Sequence, residues 1–309
     1  MTDIGYRCGW VAIMGPPNAG KSTLMNALLG QKITIVTPRP QTTRNQITGI
    51  LTAFDSQIIF MDTPGLTQMR GRLNKTMIQA VWQSIGQANV IMPVLDAYLY
   101  IRHPEFLERD FAPVAEALAS DDRPMIAVAN KIDLFGNKTR MLPLLSGLQE
   151  LWPKVEIFPA SALTREGLSD LVALVRSRLP QSPAIFPEDQ ISTAPLRFMV
   201  SEIIREKIFL YMRQEVPYGA AVEIEQWEEY PESEQTIVHA VIYVARPMHK
   251  IMLIGRGGSG IKQIGSEARR DILELVEGKV HLELWVKVRE RWTEDQTFLR
   301  ELARQAEPV

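Results

Sequence analysis

One cysteine, Cys8, stands in 309 residues. That excludes a disulfide framework and a cysteine-rich metal centre, and it suits a reducing cytosol. Histidine is scarce too: the four, at 103, 239, 249 and 281, fall at no ligand spacing, so no structural metal is expected. Long apolar runs are missing. The longest, Val90 to Ile101, is broken by Pro93 and Asp96 and falls short of the roughly 20 residues a membrane-spanning helix needs. No basic-then-apolar segment opens the sequence, and no secretory leader is expected. Positive charge is not in excess either. With a formal net charge of −2, any affinity for nucleic acid must come from how charge is distributed. What remains is an ordinary globular composition, 46% hydrophobic and 23% charged, in a chain long enough for two domains with their own cores.

The most informative stretch is Gly15-Pro16-Pro17-Asn18-Ala19-Gly20-Lys21-Ser22. It follows the apolar run Trp10–Met14 and precedes Thr23–Leu29, which has helical apolar spacing. Strand, glycine-bounded loop and helix is the order a phosphate cradle requires. Gly15 and Gly20 permit close backbone approach, so the loop amides turn inward, aided by the positive end of the following helix. Lys21 is placed to reach the β- and γ-phosphates and Ser22 to ligate Mg²⁺. A plain strand-to-helix turn with an incidental lysine would not also supply the serine and the helix.

Three later motifs select the nucleotide. Asp62-Thr63-Pro64-Gly65 closes the run Gln57–Met61, which puts Asp62 at a strand end, suited to hold Mg²⁺ through water. Asn130-Lys131-Ile132-Asp133 closes Met125–Ala129. Asp133 there accepts from both N1–H and the exocyclic amine of guanine; adenine lacks that donor pair and would leave the carboxylate unpaired. Ser161-Ala162-Leu163 follows Val155–Pro159 and offers a backbone amide to the guanine O6. In this order, each at a strand end, the motifs make a GTP site.

With Asn18 in the loop, Gln41-Thr42-Thr43-Arg44 and Asp62–Gly65, the chain resembles the translation-factor-related GTPases, and over nearly its whole length the Era-like ribosome-assembly GTPases. The resemblance implies that Thr43 is the switch threonine that ligates Mg²⁺ with GTP bound; the sequence alone does not separate it from Thr42 or Thr37. It also implies a K⁺ held near Asn18 in place of an arginine finger. It makes Gly15, Asn18, Ala19, Gly20, Lys21, Ser22, Thr23, Asp62, Gly65, Asn130, Lys131, Asp133, Ser161, Ala162 and Leu163 the GTP/GDP-binding set, with Lys21, Thr43 and Gly65 serving hydrolysis. Leu66 occupies the place where many GTPases carry a water-orienting glutamine. Gln68, two residues on, is a candidate replacement, but the expectation is slow intrinsic hydrolysis that depends on metal ions or a partner.

Residues 1–180 alternate strand-length apolar runs with helical patterns, as an α/β P-loop GTPase domain with a mostly parallel sheet does. Gly49–Phe54 and Gln57–Met61, joined by Asp55-Ser56, read as a hairpin that adds one antiparallel strand. The long loop 31–48 is switch I by position. Ala97–Asp110, rich in aromatics, reads as an inserted surface turn and helix start. Residues 181–195 hold Pro183, Pro187 and Pro195 and no Lys or Arg; they read as an extended linker over the surface.

From 196 to 309 the pattern is α-β-β-α-α-β, which resembles the type II KH domain, an α+β fold. Ile254-Gly255-Arg256-Gly257-Gly258-Ser259-Gly260-Ile261-Lys262-Gln263-Ile264 carries the KH glycine loop, whose backbone meets the phosphates of about four nucleotides. The same letters fit a dinucleotide fingerprint, but the repeated βα units that reading needs are absent. Residues 196–309 hold 16 Lys and Arg against 19 Asp and Glu, yet within Arg246–Arg270 six basic residues meet one acidic. Such a stripe marks a phosphate-binding face. Gly255, Arg256, Gly257, Gly258, Lys262, Arg246, Lys250 and Arg269 are the expected RNA contacts.

The resemblance then implies a cytoplasmic GTP-hydrolysing switch. It would bind single-stranded ribosomal RNA near the 3′ end of the small-subunit rRNA and assist small-subunit assembly, with possible peripheral association at the inner face of the cell membrane. Two other readings stand beside it: a GTP-dependent RNA-binding adaptor with vestigial hydrolysis, and a tRNA-modification or trafficking GTPase of the same branch.

Overall fold

The computed structural model describes residues 5–39, 42–66, 72–212 and 215–306. The expectations for Gln41 and Gln68 fall outside them. The chain divides into two compact units. One comprises Met1–Thr34, Thr43–Met69 and Thr76–Thr193, the other Ile35–Thr42, Arg70–Lys75 and Ala194–Val309.

In the first unit, β1 (Arg7–Met14), β2 (Ile47–Ala53), β3 (Ser56–Asp62), β4 (Val90–Asp96), β5 (Ile126–Asn130) and β6 (Glu156–Pro159) form one sheet in the order β2-β3-β1-β4-β5-β6. Only β2 runs antiparallel to its neighbour. The helices are α1 (Lys21–Leu29), α2 (Arg72–Gln87), α3 (Ala97–Arg102), α4 (Glu105–Ala117), α5 (Leu142–Leu151) and α6 (Leu168–Arg178). Every residue of β3 is buried, as expected of a strand covered on both faces. Strand order reverses at β1, which lies between β3 and β4. The crevice at the carboxyl ends of such strands is where open α/β sheets take ligands, and β1 ends at Met14, one residue before the glycine loop.

The segment 97–110 is exposed from Arg102 to Glu105, but Ala97 and Tyr100 leave the surface expected of it. Tyr100 is 1% exposed and belongs to the main core with Phe111 and Trp152. Its ring meets Phe111 edge-on, and its hydroxyl donates to Asp110 Oδ2 at 3.0 Å. An aromatic whose one polar atom finds a partner gains more by packing than by solvation. Burial and the Asp110 carboxylate push that phenol well above its ordinary pKa.

The run 181–193, which turns at Pro187–Gln190, is tied down. Gln57 Oε1 accepts from the amides of Ile185 and Phe186 at 2.8 and 2.9 Å, and its Nε2 donates to the Phe186 carbonyl at 2.9 Å. The Ile50 amide donates to the Ile191 carbonyl at 2.9 Å.

The second unit holds α7 (Leu196–Tyr211), β7 (Ala220–Tyr230), β8 (Gln235–Val244), α8 (Pro247–Ile254), α9 (Ser259–Ile272), β9 (Lys279–Val288) and α10 (Gln296–Arg304). Its sheet runs β7-β8-β9, with β8 parallel to β9 and a bulge in β7 between Ile224 and Gln226. α9 buries Gly260, Ile264, Ala268 and Ile272, a four-residue spacing that turns one face to the core. On α7, Glu202, Arg205, Glu206 and Lys207 are all buried. They are compensated rather than bare: Arg205 pairs with Glu202, Lys207 with Asp271, and Glu206 Oε1 accepts from the Val36 amide at 3.1 Å. Removing one partner of such a set strands the other charge in low dielectric.

Candidate nucleotide site and nucleic-acid interface

The glycine loop is forced by sterics. Gly15 has φ 142°, and a Cβ there would lie 2.2 Å from the Val94 carbonyl oxygen; Gly20, at φ 94°, would meet the Asn130 side chain at 2.3 Å. Asn18 also takes a left-handed backbone, φ 62°, which asparagine tolerates better than most residues. The Asp62–Gly65 motif is laced to this loop: the Leu66 amide donates to the Gly15 carbonyl at 3.0 Å, and Gly65 packs on Pro17.

Lys21 is 7% exposed and donates to the carbonyls of Gly15 and Pro16 at 3.1 and 3.0 Å. Burial lowers its pKa to about 8, against the opposing pull of Asp62. Asp62 is fully buried, and desolvation raises it to about 6 despite Lys21 and hydrogen bonds from Ser22, Thr43 and the Thr63 amide. Ser22 Oγ lies 2.7 Å from Asp62 Oδ2 and 2.9 Å from Thr43 Oγ1. Among the described residues, buried Asp62 Oδ1 has no hydrogen-bond partner. Three converging hard oxygen ligands, one carboxylate oxygen of them orphaned, fit Mg²⁺. Of the three threonines, Thr43 is the one whose hydroxyl lies beside Ser22 and Asp62. Thr37 and Thr42 instead bond each other at 2.6 Å, and Thr42 donates to the Arg39 carbonyl at 2.8 Å.

A pH dependence follows. Asp62 must be ionised to hold a cation, and its folded-state pKa lies above the ordinary carboxylate value. Below about pH 6, Mg²⁺ affinity should therefore weaken by up to roughly tenfold per pH unit. Titrating Mg²⁺ into the nucleotide complex at pH 5, 6 and 7.5 measures this; a flat profile contradicts it. For folding the sign is opposite. The raised Asp62 pKa means that stability is lost as pH rises from the unfolded value through about 6.

Asn130 joins the base motifs to the phosphate loop: its Nδ2 donates to the Ala19 carbonyl and its Oδ1 accepts from the Ala162 amide, both at 2.9 Å. Ser161 Oγ donates to Asp133 Oδ1 at 2.6 Å and accepts from the Thr164 amide at 3.1 Å, which fixes the carboxylate's direction. The Ser161 amide is spent on the Glu166 carbonyl. Among the described residues, the Leu163 amide alone of these three has no bond inside the protein. Thr23 sits half-buried one position behind Ser22 on α1.

In the second unit, Gly255 (φ 72°), Gly257 (φ 59°) and Gly258 (φ 79°) carry the chain from α8 to α9. A Cβ at Gly257 or Gly258 would meet nothing within 4 Å, so their outer side is open. Gly258 caps α9 without a side-chain bond, and the Ser259 amide at the start of that helix donates to the Arg256 carbonyl. Arg256 and Lys262 flank the loop and are exposed; Lys250 lies about one turn back on α8 and Arg246 at its start. Arg269 stands apart. Its Nε donates to the Val280 carbonyl at 2.6 Å, so part of its guanidinium ties α9 to β9.

Sequence reasoning missed two features here. Met248 (61%), Ile251 (66%) and Met252 (42%) are exposed on α8 beside the basic residues, an apolar face whose signal was the buried pair His249 and Leu253 on the opposite side. Asp96, noted only as a break in an apolar run, pairs with Lys131. No helix among the described residues is long and apolar enough to cross a membrane.

Two family models match the chain: a 50S ribosome-binding GTPase over residues 10–131 and a KH domain over residues 215–293. The chain is 73% identical over 307 residues to GTPase Era of Desulfovibrio desulfuricans, spanning 99% of this chain and 100% of that protein. Among solved structures, Era in complex with MgGDPNP and nucleotides 1506–1542 of 16S ribosomal RNA superposes with a TM-score of 0.89 at 35% identity, covering 96% of this chain and 98% of that one. An Aquifex aeolicus Era variant bound to GDP.AlF₄⁻ gives 0.87 at 36% identity, with coverage of 96% and 98%.

Proposed function

The chain belongs to the GTPase Era family and is a GTPase, and from that premise we propose that it is a slow switch that binds the 3′ end of small-subunit ribosomal RNA. In this reading it assists assembly of the small subunit, in the cytoplasm. The division runs as 1–180 for GTP, 181–195 as connection and 196–309 for RNA. The observation that carries the reading is the oxygen cluster of Ser22, Thr43 and Asp62 around an orphaned carboxylate oxygen.

Lys21, freed from the loop carbonyls, contacts the β- and γ-phosphates; the loop amides and the start of α1 hold the remaining oxygens. Ser22, Thr43 and Asp62 would hold Mg²⁺, which would offset charge that develops on the transferring phosphoryl group. Leu66 places no amide side chain near the attacking water, and this supports slow basal turnover. Exposed Asn18 would help to hold a K⁺, which would add positive charge beside the phosphates. The glycine loop of the second unit takes the RNA backbone, and the exposed α8 side chains Ile251 and Met252 offer apolar contact to unpaired bases. The exposed basic residues also supply what a peripheral contact with the inner membrane face would use.

Asp133 reads guanine. Asp133→Asn should weaken GTP binding about 100-fold and favour xanthosine nucleotides, whose C2 oxygen accepts from the new amide. Competition between GTP and XTP measures it, and unchanged GTP affinity removes the assignment.

A further inference from the structure

We infer that Asp96 is a positioning residue for guanine recognition, holding the Lys131 ammonium away from Asp133. The inference rests on Asp133 as the guanine reader. Asp96 ends β4 and pairs in register with Asn130, the first residue of the base motif. Its two carboxylate oxygens do different work. Oδ1 accepts from the Leu99 amide at 2.9 Å and caps α3, while Oδ2 accepts from Lys131 Nζ at 2.6 Å. The Asp96 side chain is 16% exposed and that of Lys131 30%, so solvent screens the pair only in part.

Lys131 has a left-handed backbone, φ 68°. The bonds from Ile132 N to the Ala160 carbonyl (3.3 Å) and from Leu134 N to the Lys131 carbonyl (3.2 Å) hold the chain on either side of it. Its side chain therefore starts from a fixed point, with one carboxylate on β4 and another two residues along its own chain, at Asp133. It pairs with Asp96. Among the described residues, Asp133 has no cationic partner; one of its oxygens is held by Ser161 and the other is left for a ligand. A lysine released from Asp96 has Asp133 as the next anion along its own chain. An ammonium there would compete with the two guanine N–H donors for the same carboxylate. Asp96 thus keeps the reader empty, and its charge rather than its cap is what does so.

Asparagine separates the two roles, because its amide oxygen still caps a helix start but carries no charge. Asp96→Asn in the full chain should raise KM for GTP about tenfold, with kcat within about twofold; with slow chemistry KM reads binding. Dissociation of a fluorescent GDP analogue should speed up by a similar factor, and the melting temperature should hold within about 2 °C. Asp96→Ser, which also caps and is also neutral, should repeat the effect. In a Lys131→Met background the same changes should alter KM by less than about twofold, since no ammonium remains to restrain. A wild-type KM in folded Asp96→Asn and Asp96→Ser overturns the inference, and so does a KM increase that persists with Met at 131. The Asp133→Asn competition stands apart from both: unchanged GTP binding there removes the guanine reader itself, whatever Asp96 does.

Discussion

Lys21→Ala should lower GTP turnover by a factor on the order of 10³, because it removes the one buried cation aimed at the phosphates. Among the described residues, that ammonium donates to two loop carbonyls and feels the charge of buried Asp62. Burial penalises both charges, and a phosphate group with its metal returns to each the partner that water supplied in the unfolded chain. The variant should consequently melt at or slightly above the wild-type temperature while losing turnover. That opposite movement of stability and activity distinguishes a charge held ready for a ligand from one that only braces the loop. Single-turnover hydrolysis and thermal melting decide it: turnover within tenfold of wild type removes Lys21 from the phosphate site.

Gly257→Asp with Gly258→Asp should weaken RNA binding at least about 100-fold. Both glycines have positive φ and open space beyond the missing Cβ, so the side chains would stand where a phosphodiester backbone passes, carrying like charge. Aspartate tolerates a left-handed backbone better than most residues, and the fold should survive at a modest cost. Guanine-nucleotide affinity should stay within about twofold. Wild-type binding should fall roughly 50-fold between ~50 and ~200 mM salt if about four phosphates are contacted; Arg256→Ala or Lys262→Ala should flatten that slope. A folded double-Asp protein that binds RNA normally would assign the glycine loop another role.

The nucleotide motifs could be read from the sequence because each needs a particular residue at the end of a particular strand. Gly15, Lys21, Asp62 and Asn130 are recognisable one at a time, and strand-end position joins them. The alternating strand Val280–Val288 is legible for a related reason: burial imposes a period. What stayed hidden depends on contacts between distant positions. Tyr100 looked like an exposed aromatic until Phe111 and Asp110 were brought to it. Thr42 and Thr43 are indistinguishable in sequence, and only the hydroxyl pairing of Thr37 with Thr42 tells them apart. Arg269 counted as one more basic residue, yet part of its guanidinium goes to the Val280 carbonyl.

The strap formed by residues 181–193 has a bearing on solubility. β2 is the outermost strand of its sheet, and an open strand edge is a template for pairing with another molecule. Ile191 takes the Ile50 amide, Ser192 bridges to Gly49, and the Ser192 hydroxyl donates to the Thr48 carbonyl at 2.6 Å. The protein thus closes its own edge with the segment that leads out of the first unit. A chain cut after Pro180 would keep every residue proposed to bind the nucleotide and lose this cover, leaving a row of β2 backbone groups bare. Such a fragment should self-associate through β2 as its concentration rises, and one cut after Thr193 should not.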